Sequence, residues 1–227
     1  MGLTTTEAHR QSALVDPEHI AATAPLPWRF LALLLVLLAA YALLPWVTHP
    51  TAALTSNAYD LAEWASIFPA VRSDPLLLTA LLLRLPLVGV AWWAAGWNTK
   101  SNVRAGYISP LLRGAIIVVI AVALLPPFEF LTSGRGDPNY QQQALLAAAA
   151  LIGGLAILWW RTTRAHHDTP LRILATVALV IGAGAGLWGT AQALNLWQGV
   201  NITASIGAGG IVFAAAALGA AWLTLRG

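Results

Sequence analysis

Residues 28–47 read WRFLALLLVLLAAYALLPWV, an apolar run whose single charged residue, Arg29, lies at its start. A helix of about 20 apolar residues is long enough to cross the hydrocarbon core of a bilayer, which is about 30 Å thick. Five further apolar runs follow, at residues 75–97, 110–131, 140–161, 170–197 and 202–225. The sequence therefore predicts an all-α, polytopic membrane protein with six transmembrane helices.

The composition agrees with this class. Of 227 residues, 58% are hydrophobic and only 9% are charged, whereas a soluble globular domain carries about 25% charged residues. The longest polar stretch is residues 1–27, which we interpret as a cytoplasmic N-terminal tail. Residues 28–227 form a single six-helix transmembrane domain, with no room for a separate soluble catalytic domain.

The basic residues predict the orientation in the membrane, because loops rich in lysine and arginine stay in the cytoplasm. With the N terminus inside, nine basic residues fall inside, two fall outside and Arg84 falls within a span, which predicts an N-in, C-in protein. The inside set is Arg10, Arg29, Lys100, Arg104, Arg113, Arg161, Arg164, Arg172 and Arg226, and the outside set is Arg72 and Arg135. The net charge of +3 is thus spread over helix ends and does not indicate nucleic-acid binding. We expect a multi-pass protein of the cell membrane, of the bacterial inner-membrane type.

The first outer loop, residues 48–74, is too long for a simple connection, and loops of this length usually have structure or function of their own. Within it, residues 57–68 read NAYDLAEWASIF and place Leu61, Trp64, Ala65 and Phe68 on one face of a short amphipathic helix. Asp60 and Glu63 lie in its first half, where carboxylates suit the helix dipole. The favoured interpretation is an interfacial helix that rests on lipid or on the bundle, and the alternative is a lid over a site between the helices.

Arg84 is the most unusual residue of the chain. Counted from Pro75 at about 1.5 Å per residue, it lies about 14 Å into its helix, near the middle of a bilayer. A lone arginine there costs at least about 2.5 kcal/mol, so it should face the bundle interior and have a partner. We expect Glu129 to be that partner, with Asp60 and Glu63 as alternatives. A structural ion pair is favoured over an anion or headgroup site.

Two further patterns concern helix packing. Pro126 and Pro127 predict a break or kink at the outer end of the third helix. Glycines recur in the fifth and sixth spans, which predicts close packing of these two helices on each other. They are Gly182, Gly184, Gly186, Gly189, Gly207, Gly209, Gly210 and Gly219.

The sequence contains no recognisable catalytic motif. Cysteine is absent, the five histidines lie away from the middle of the spans, and hydrolase and nucleotide-binding motifs are lacking. We therefore predict no catalytic residue, no cofactor and no metal site. An enzyme that acts on lipid would need Asp60, Glu63 and Glu129 to converge.

These patterns favour a non-catalytic integral membrane subunit or scaffold of a larger membrane complex. Its expected partners are the lipid bilayer and other membrane protein subunits, with no nucleic acid. The alternative is a small transporter or membrane substrate-binding subunit with an outward-facing site at Arg84. The candidate polar cluster in either case is Arg84, Glu129, Asp60 and Glu63.

Overall fold

A computed structural model describes residues 28–51, 54–68, 71, 78–97, 108–163 and 168–226, without the side chains at 108, 109 and 168. The described part of the chain is all-α, with seven helices and one two-stranded ribbon. The helices are α1 Trp28–Ala42, α2 Ala58–Ile67, α3 Thr79–Gly96, α4 Ile108–Ala123, α5 Pro138–Thr163, α6 Asp168–Gly199 and α7 Ala208–Arg226. The strands β1 Val47–Thr48 and β2 Ser205–Ile206 pair in antiparallel fashion. The predicted N-terminal tail and the basic residues Arg10, Arg72, Lys100, Arg104 and Arg164 lie outside the described residues.

Four of the helices, α3, α5, α6 and α7, are long and apolar enough to cross a membrane, by length and composition. The first and third predicted spans are shorter than expected. Helix α1 ends at Ala42, ahead of Pro45, and α4 ends at Ala123 instead of reaching residue 131. The reason in α4 is the pair Pro126 and Pro127, whose missing N–H groups cannot continue the helical hydrogen bonds.

Helix α3 is the centre of the bundle. In α3, 72% of the residues are buried inside the protein, whereas 33–39% are buried in the long apolar segments of α5, α6 and α7. Large apolar side chains on the surrounding helices point outwards, among them Leu111 and Leu145. Burial in the centre with apolar side chains outside is the pattern of a bundle whose solvent is lipid.

Glycines let α3 and α6 approach each other closely. A Cβ atom added at Gly89 of α3 would lie 2.8 Å from the carbonyl oxygen of Ala178 in α6. On α6, a Cβ atom added at Gly182 would lie 3.1 Å from the Leu85 oxygen of α3, and one added at Gly189 would lie 3.0 Å from the Leu83 nitrogen. The sequence assigned this glycine stripe to packing between α6 and α7, and the structure instead turns most of it towards α3.

The glycines near α7 have a different neighbour. Gly207 and Gly209 lie against Pro45 and Trp46, in the segment that follows α1. The Trp46 ring is fully buried, and its indole nitrogen donates to the carbonyl of Ala40 over 2.8 Å. Helices α6 and α7 do pack on each other, as predicted, and a Cβ added at Gly210 would lie 3.0 Å from the Leu187 side chain.

A small layer covers one end of the bundle. It consists of the β1–β2 ribbon, α2 and the last turns of α6, and we call it the cap. It has its own apolar cluster, in which Leu61, Ala65, Ala193 and Trp197 are buried. Helix α2 was predicted at residues 57–68 and begins one residue later, at Ala58. Its apolar face rests on the bundle.

Helix α5 contains a π-helical turn at Ala149–Gly153, which the sequence analysis did not predict. The indole nitrogen of Trp92 in α3 donates to the carbonyl of Ala149 over 2.8 Å. Gly153 leaves room for the same ring, because a Cβ there would lie 2.6 Å from it. The turn therefore accommodates a tryptophan of the central helix.

Two matched glycine substitutions test the α3–α6 contact. Gly89→Ala is expected to lower the free energy of unfolding by about 1–3 kcal/mol, because the new methyl group meets backbone atoms that cannot move aside. Gly184→Ala is the control, since an added Cβ meets nothing within 4 Å there, and it should be neutral or stabilising by up to about 1 kcal/mol. Thermal unfolding in detergent micelles measures both, and equal midpoints would contradict the assigned packing.

Candidate functional site

The site is built from α2, whose first turn is fixed by a capping interaction. The Asn57 side-chain oxygen accepts a hydrogen bond from the Asp60 backbone nitrogen over 2.9 Å. The Asn57 amide nitrogen donates to the Asp60 carboxylate over 2.8 Å. Such a cap satisfies a donor that the helix itself leaves free. Asp60 is therefore part of the N-terminal capping interaction of α2, and its side chain is exposed.

Glu63, less than one turn further along α2, forms an ion pair with Arg84 of α3. The distance from Arg84 Nη2 to Glu63 Oε1 is 2.7 Å. The two partners differ in environment, because the Arg84 side chain is 4% exposed and that of Glu63 is 47% exposed. A buried guanidinium thus lies beneath a carboxylate that reaches the surface.

Gln143 of α5 is the third member, and it is only 2% exposed. The end of its amide lies 3.3 Å from Glu63 Oε1 and within hydrogen-bond distance of the guanidinium. Its orientation is assigned from the hydrogen-bond network. With the oxygen towards Arg84, it accepts from both terminal guanidinium nitrogens, Nη1 at 3.2 Å and Nη2. We call Glu63, Arg84 and Gln143 the Arg84 cluster.

Hydrogen bonds between residues near the cluster link the helices around it. The Tyr41 hydroxyl of α1 donates to the carbonyl of Leu83 over 3.1 Å, in the turn that precedes Pro86. On α5, the Asn139 amide donates to the carbonyl of Ser66 in α2 over 3.1 Å. The Thr79 hydroxyl of α3 donates to the side chain of Gln192 in α6 over 3.0 Å. Helix α2 is consequently held by α3 and α5 through polar contacts on both sides.

The depth of Arg84 differs from the sequence-based expectation. The described part of α3 begins at Thr79, so that Arg84 lies five residues, or about 8 Å, along the helix. Glu63 approaches from the cap. The guanidinium therefore lies closer to the acidic end of the bundle than a count from Pro75 suggested.

The structure brings together two of the four predicted residues. Arg84 pairs with Glu63, one of the two alternatives on α2, instead of the expected Glu129. Glu129 is exposed in a short 3₁₀ helix, Phe128–Leu131, and its carbonyl accepts from the Gly134 nitrogen over 2.7 Å.

Sequence reasoning missed Gln143 and Asn139. The sequence predicts that Gln143 bonds at the membrane interface, near the outer end of its helix, and that Asn139 belongs to the turn at residues 132–139. A periodic pattern identifies them, because Asn139, Gln143, Leu146 and Ala150 recur at helical spacing and all are buried. Polar residues that share a helix face with core residues need internal partners.

Arginines at the opposite, basic end of the bundle bond to backbone carbonyls. Arg161 of α5 donates to the Gly96 carbonyl over 2.7 Å and also to that of Trp97, at the end of α3. Arg172 of α6 donates through Nε to the Thr224 carbonyl over 3.1 Å, near the end of α7. Cations suit the carbonyl-rich ends of helices. The sequence used these arginines only to predict the orientation in the membrane. In the structure they also satisfy carbonyl groups at the ends of α3 and α7.

The chemistry available to the Arg84 cluster is limited by its composition. The Glu63 carboxylate and the Gln143 amide oxygen both satisfy the one cation, which holds α2, α3 and α5 together. Among the described residues there is no group of three or more histidine, aspartate or glutamate side chains that could hold a metal ion. A groove of about 580 Å³ lies elsewhere, between α4 and α5, and none of the four predicted residues lines it.

Comparison of the chain with protein-family models, with curated proteins and with solved structures found no match.

Substitutions at Glu63 test the ion pair. Glu63→Leu leaves the buried Arg84 guanidinium without its counter-charge, and we expect a loss of about 3–5 kcal/mol in the free energy of unfolding. The double variant Glu63→Leu with Arg84→Leu should recover most of this loss, because an apolar pair carries no unpaired charge.

The matched control is Glu129→Leu, the partner expected from the sequence. Since Glu129 is exposed, this change should stay within about 0.5 kcal/mol of the parent protein. Denaturant or thermal unfolding in micelles measures all three variants. A larger loss for Glu129→Leu than for Glu63→Leu would contradict the assigned pairing.

Proposed function

We propose that this chain is a non-catalytic, multi-pass subunit or scaffold of a larger complex in the cell membrane. The observation that supports this proposal is the Arg84 cluster. Its buried cation is satisfied by protein groups and holds the cap in place on the bundle. An ion pair that fixes α2 against α3 is typical of a structural role.

The roles of the predicted acids support the same proposal. Glu63 neutralises Arg84, Asp60 bonds to Asn57 at the N-terminus of α2, and Glu129 is exposed outside the cluster. These acids do not share one reactive centre, as an enzyme acting on lipid would require. We therefore propose no catalytic role and no resident cofactor.

The surface of the cap fits contact with another protein subunit. Tyr59 and Ile67 on α2 are 41% and 67% exposed, although the helix itself is anchored from below. Exposed apolar side chains on a rigid, polar-rimmed element are typical of protein contact sites. The proposed partners are therefore other membrane subunits, alongside the bilayer itself.

We further propose six spans in an N-in, C-in arrangement, as in an inner-membrane protein of bacterial type. The two shorter apolar helices, Trp28–Ala42 and Pro110–Ala123, would complete the set of four long ones. The acidic cap end would face outwards. The end that carries Arg29, Arg161, Arg172 and Arg226 would face the cytoplasm.

The alternative is a small transporter or membrane substrate-binding subunit. It is favoured by one feature, namely that Glu63 is half exposed above a nearly sealed Arg84. Movement of α2 away from the bundle would expose the Arg84 guanidinium. An anionic substrate could then replace Glu63 as its partner. The two functions differ in their response to the double leucine variant, which a scaffold tolerates and an anion site does not.

Site-specific photocrosslinking in intact cells tests the scaffold proposal. A crosslinker at Tyr59 is expected to give discrete heavier protein adducts, because the cap would face a partner subunit. The control position is Val119, which is 67% exposed on the apolar surface of α4 and should react with lipid. Mild extraction should then yield a stoichiometric complex in native mass spectrometry. A lone, stable monomer without adducts at Tyr59 would overturn the proposal.

Cysteine labelling tests the orientation. Because the chain contains no cysteine, single substitutions can be labelled without background. Ser133→Cys, beyond the end of α4, should react with an impermeant maleimide in intact cells. Thr163→Cys, at the end of α5, should react only after permeabilisation. The reverse pattern would contradict the N-in, C-in arrangement.

A further inference from the structure

The groove between α4 and α5 is a built cavity with apolar walls. Its volume is about 580 Å³, within the range of about 300–1,000 Å³ that is usual for small-molecule sites. Val118, Val122 and Leu125 form the wall on α4, and Ala144, Ala148 and Leu151 form the wall on α5. Every lining residue is apolar. A ligand for this cavity must therefore present a hydrocarbon surface.

The sequence explains why the cavity is open. Pro126 and Pro127 end α4 early, and the chain leaves the helix axis towards Phe128 and Phe130, which line the groove at that end. Alanines on the facing side of α5 are too small to fill the space. An empty apolar cavity loses dispersion contacts along all its walls, so in a bilayer it is favourable for hydrocarbon to fill it.

Opposite charges lie at the end of the groove where α4 gives way to α5. Glu129 lies between the groove-lining residues Phe128 and Phe130, and Arg135 follows in the next turn; both are exposed. Backbone hydrogen bonds fold this turn back onto the 3₁₀ helix, from the Gly134 nitrogen to the Glu129 carbonyl over 2.7 Å. The Gln141 amide donates to the Arg135 carbonyl over 2.8 Å and fixes the turn to α5. The backbone thus places one acidic and one basic residue, both exposed, in the turn at one end of the apolar groove.

This combination matches a zwitterionic phospholipid. An arginine is suited to a phosphate, with which it forms charge-assisted hydrogen bonds, and a carboxylate is suited to an ammonium group. A fatty acid would leave Glu129 without a partner of opposite charge, and a neutral lipid would leave both Glu129 and Arg135 without one. An anionic phospholipid without an amine would place its negative headgroup beside Glu129.

We propose that the groove binds one bilayer phospholipid with an ethanolamine headgroup. One acyl chain lies between α4 and α5, Arg135 contacts the phosphate and Glu129 contacts the ammonium group. The proposal requires a membrane location but does not depend on partner subunits. Its failure is therefore distinguishable from failure of the scaffold proposal.

To test the groove, the protein is reconstituted into vesicles of equal phosphatidylethanolamine and phosphatidylglycerol and then extracted under mild conditions. Native mass spectrometry measures which lipid it retains. The parent protein should retain one phosphatidylethanolamine per chain. Ala148→Trp places a ring in the groove from an exposed position and should remove this lipid. Ala215→Trp on α7 is the matched control, since Ala215 is exposed and outside the groove, and should retain it. Thermal unfolding confirms that both variants are folded.

Two rim substitutions test the headgroup contacts. Arg135→Gln removes a charge-assisted contact and should lower phosphatidylethanolamine retention about tenfold. Glu129→Gln should abolish the preference for phosphatidylethanolamine over phosphatidylglycerol. Equal retention of both lipids by the parent protein, or equal retention by both tryptophan variants, would show general annular lipid and overturn the site. Rim variants indistinguishable from the parent protein would overturn the headgroup assignment.

Discussion

The ion pair between Arg84 and Glu63 is the interaction on which the rest of this structure depends. A guanidinium in a membrane helix is costly unless protein groups satisfy it. Here α3, the most buried helix, carries the cation, while α2 supplies the carboxylate and α5 the amide of Gln143. Three elements must therefore meet at one point. The net stability gained from such a pair is small, and its main effect is to fix where α2 lies.

Close packing of α3 on α6 makes this meeting point possible. Gly89, Gly182 and Gly189 bring the two backbones together, and Gly186 lies against Pro86 and Trp46. In hydrocarbon, helices gain little from apolar burial and rely on van der Waals contact, which small residues improve. The rigid pair then provides a base for Thr79 and Gln192, whose hydrogen bond lies between the bundle and the cap.

The two ends of the bundle use charge differently. At the basic end, Arg161 and Arg172 bond to backbone carbonyls where α3 and α7 finish. At the acidic end, Glu63 bonds to another side chain, Asp137 caps α5, and Glu129 and Arg135 are exposed in the α4–α5 connection beside an apolar groove. At the basic end, arginine side chains satisfy the backbone carbonyls at the helix ends. At the acidic end, charged side chains are exposed to lipid or to another protein. This asymmetry is consistent with an outward-facing cap that carries the contacts of the molecule.

The sequence by itself determined the all-α class, the apolar helices, the limits of α2 to within one residue at each end, and the need of Arg84 for an internal partner. These are local properties, because hydropathy, helical periodicity and the cost of a buried charge are readable along the chain. Only the tertiary structure decided that Glu63 and not Glu129 is the partner, that Gln143 joins them, and that Gly182, Gly186 and Gly189 of α6 face α3. Such choices depend on the rotation and crossing of helices, and they join residues 21 and 59 positions apart, Glu63 with Arg84 and Arg84 with Gln143. Spacing along the sequence carries no information on that geometry.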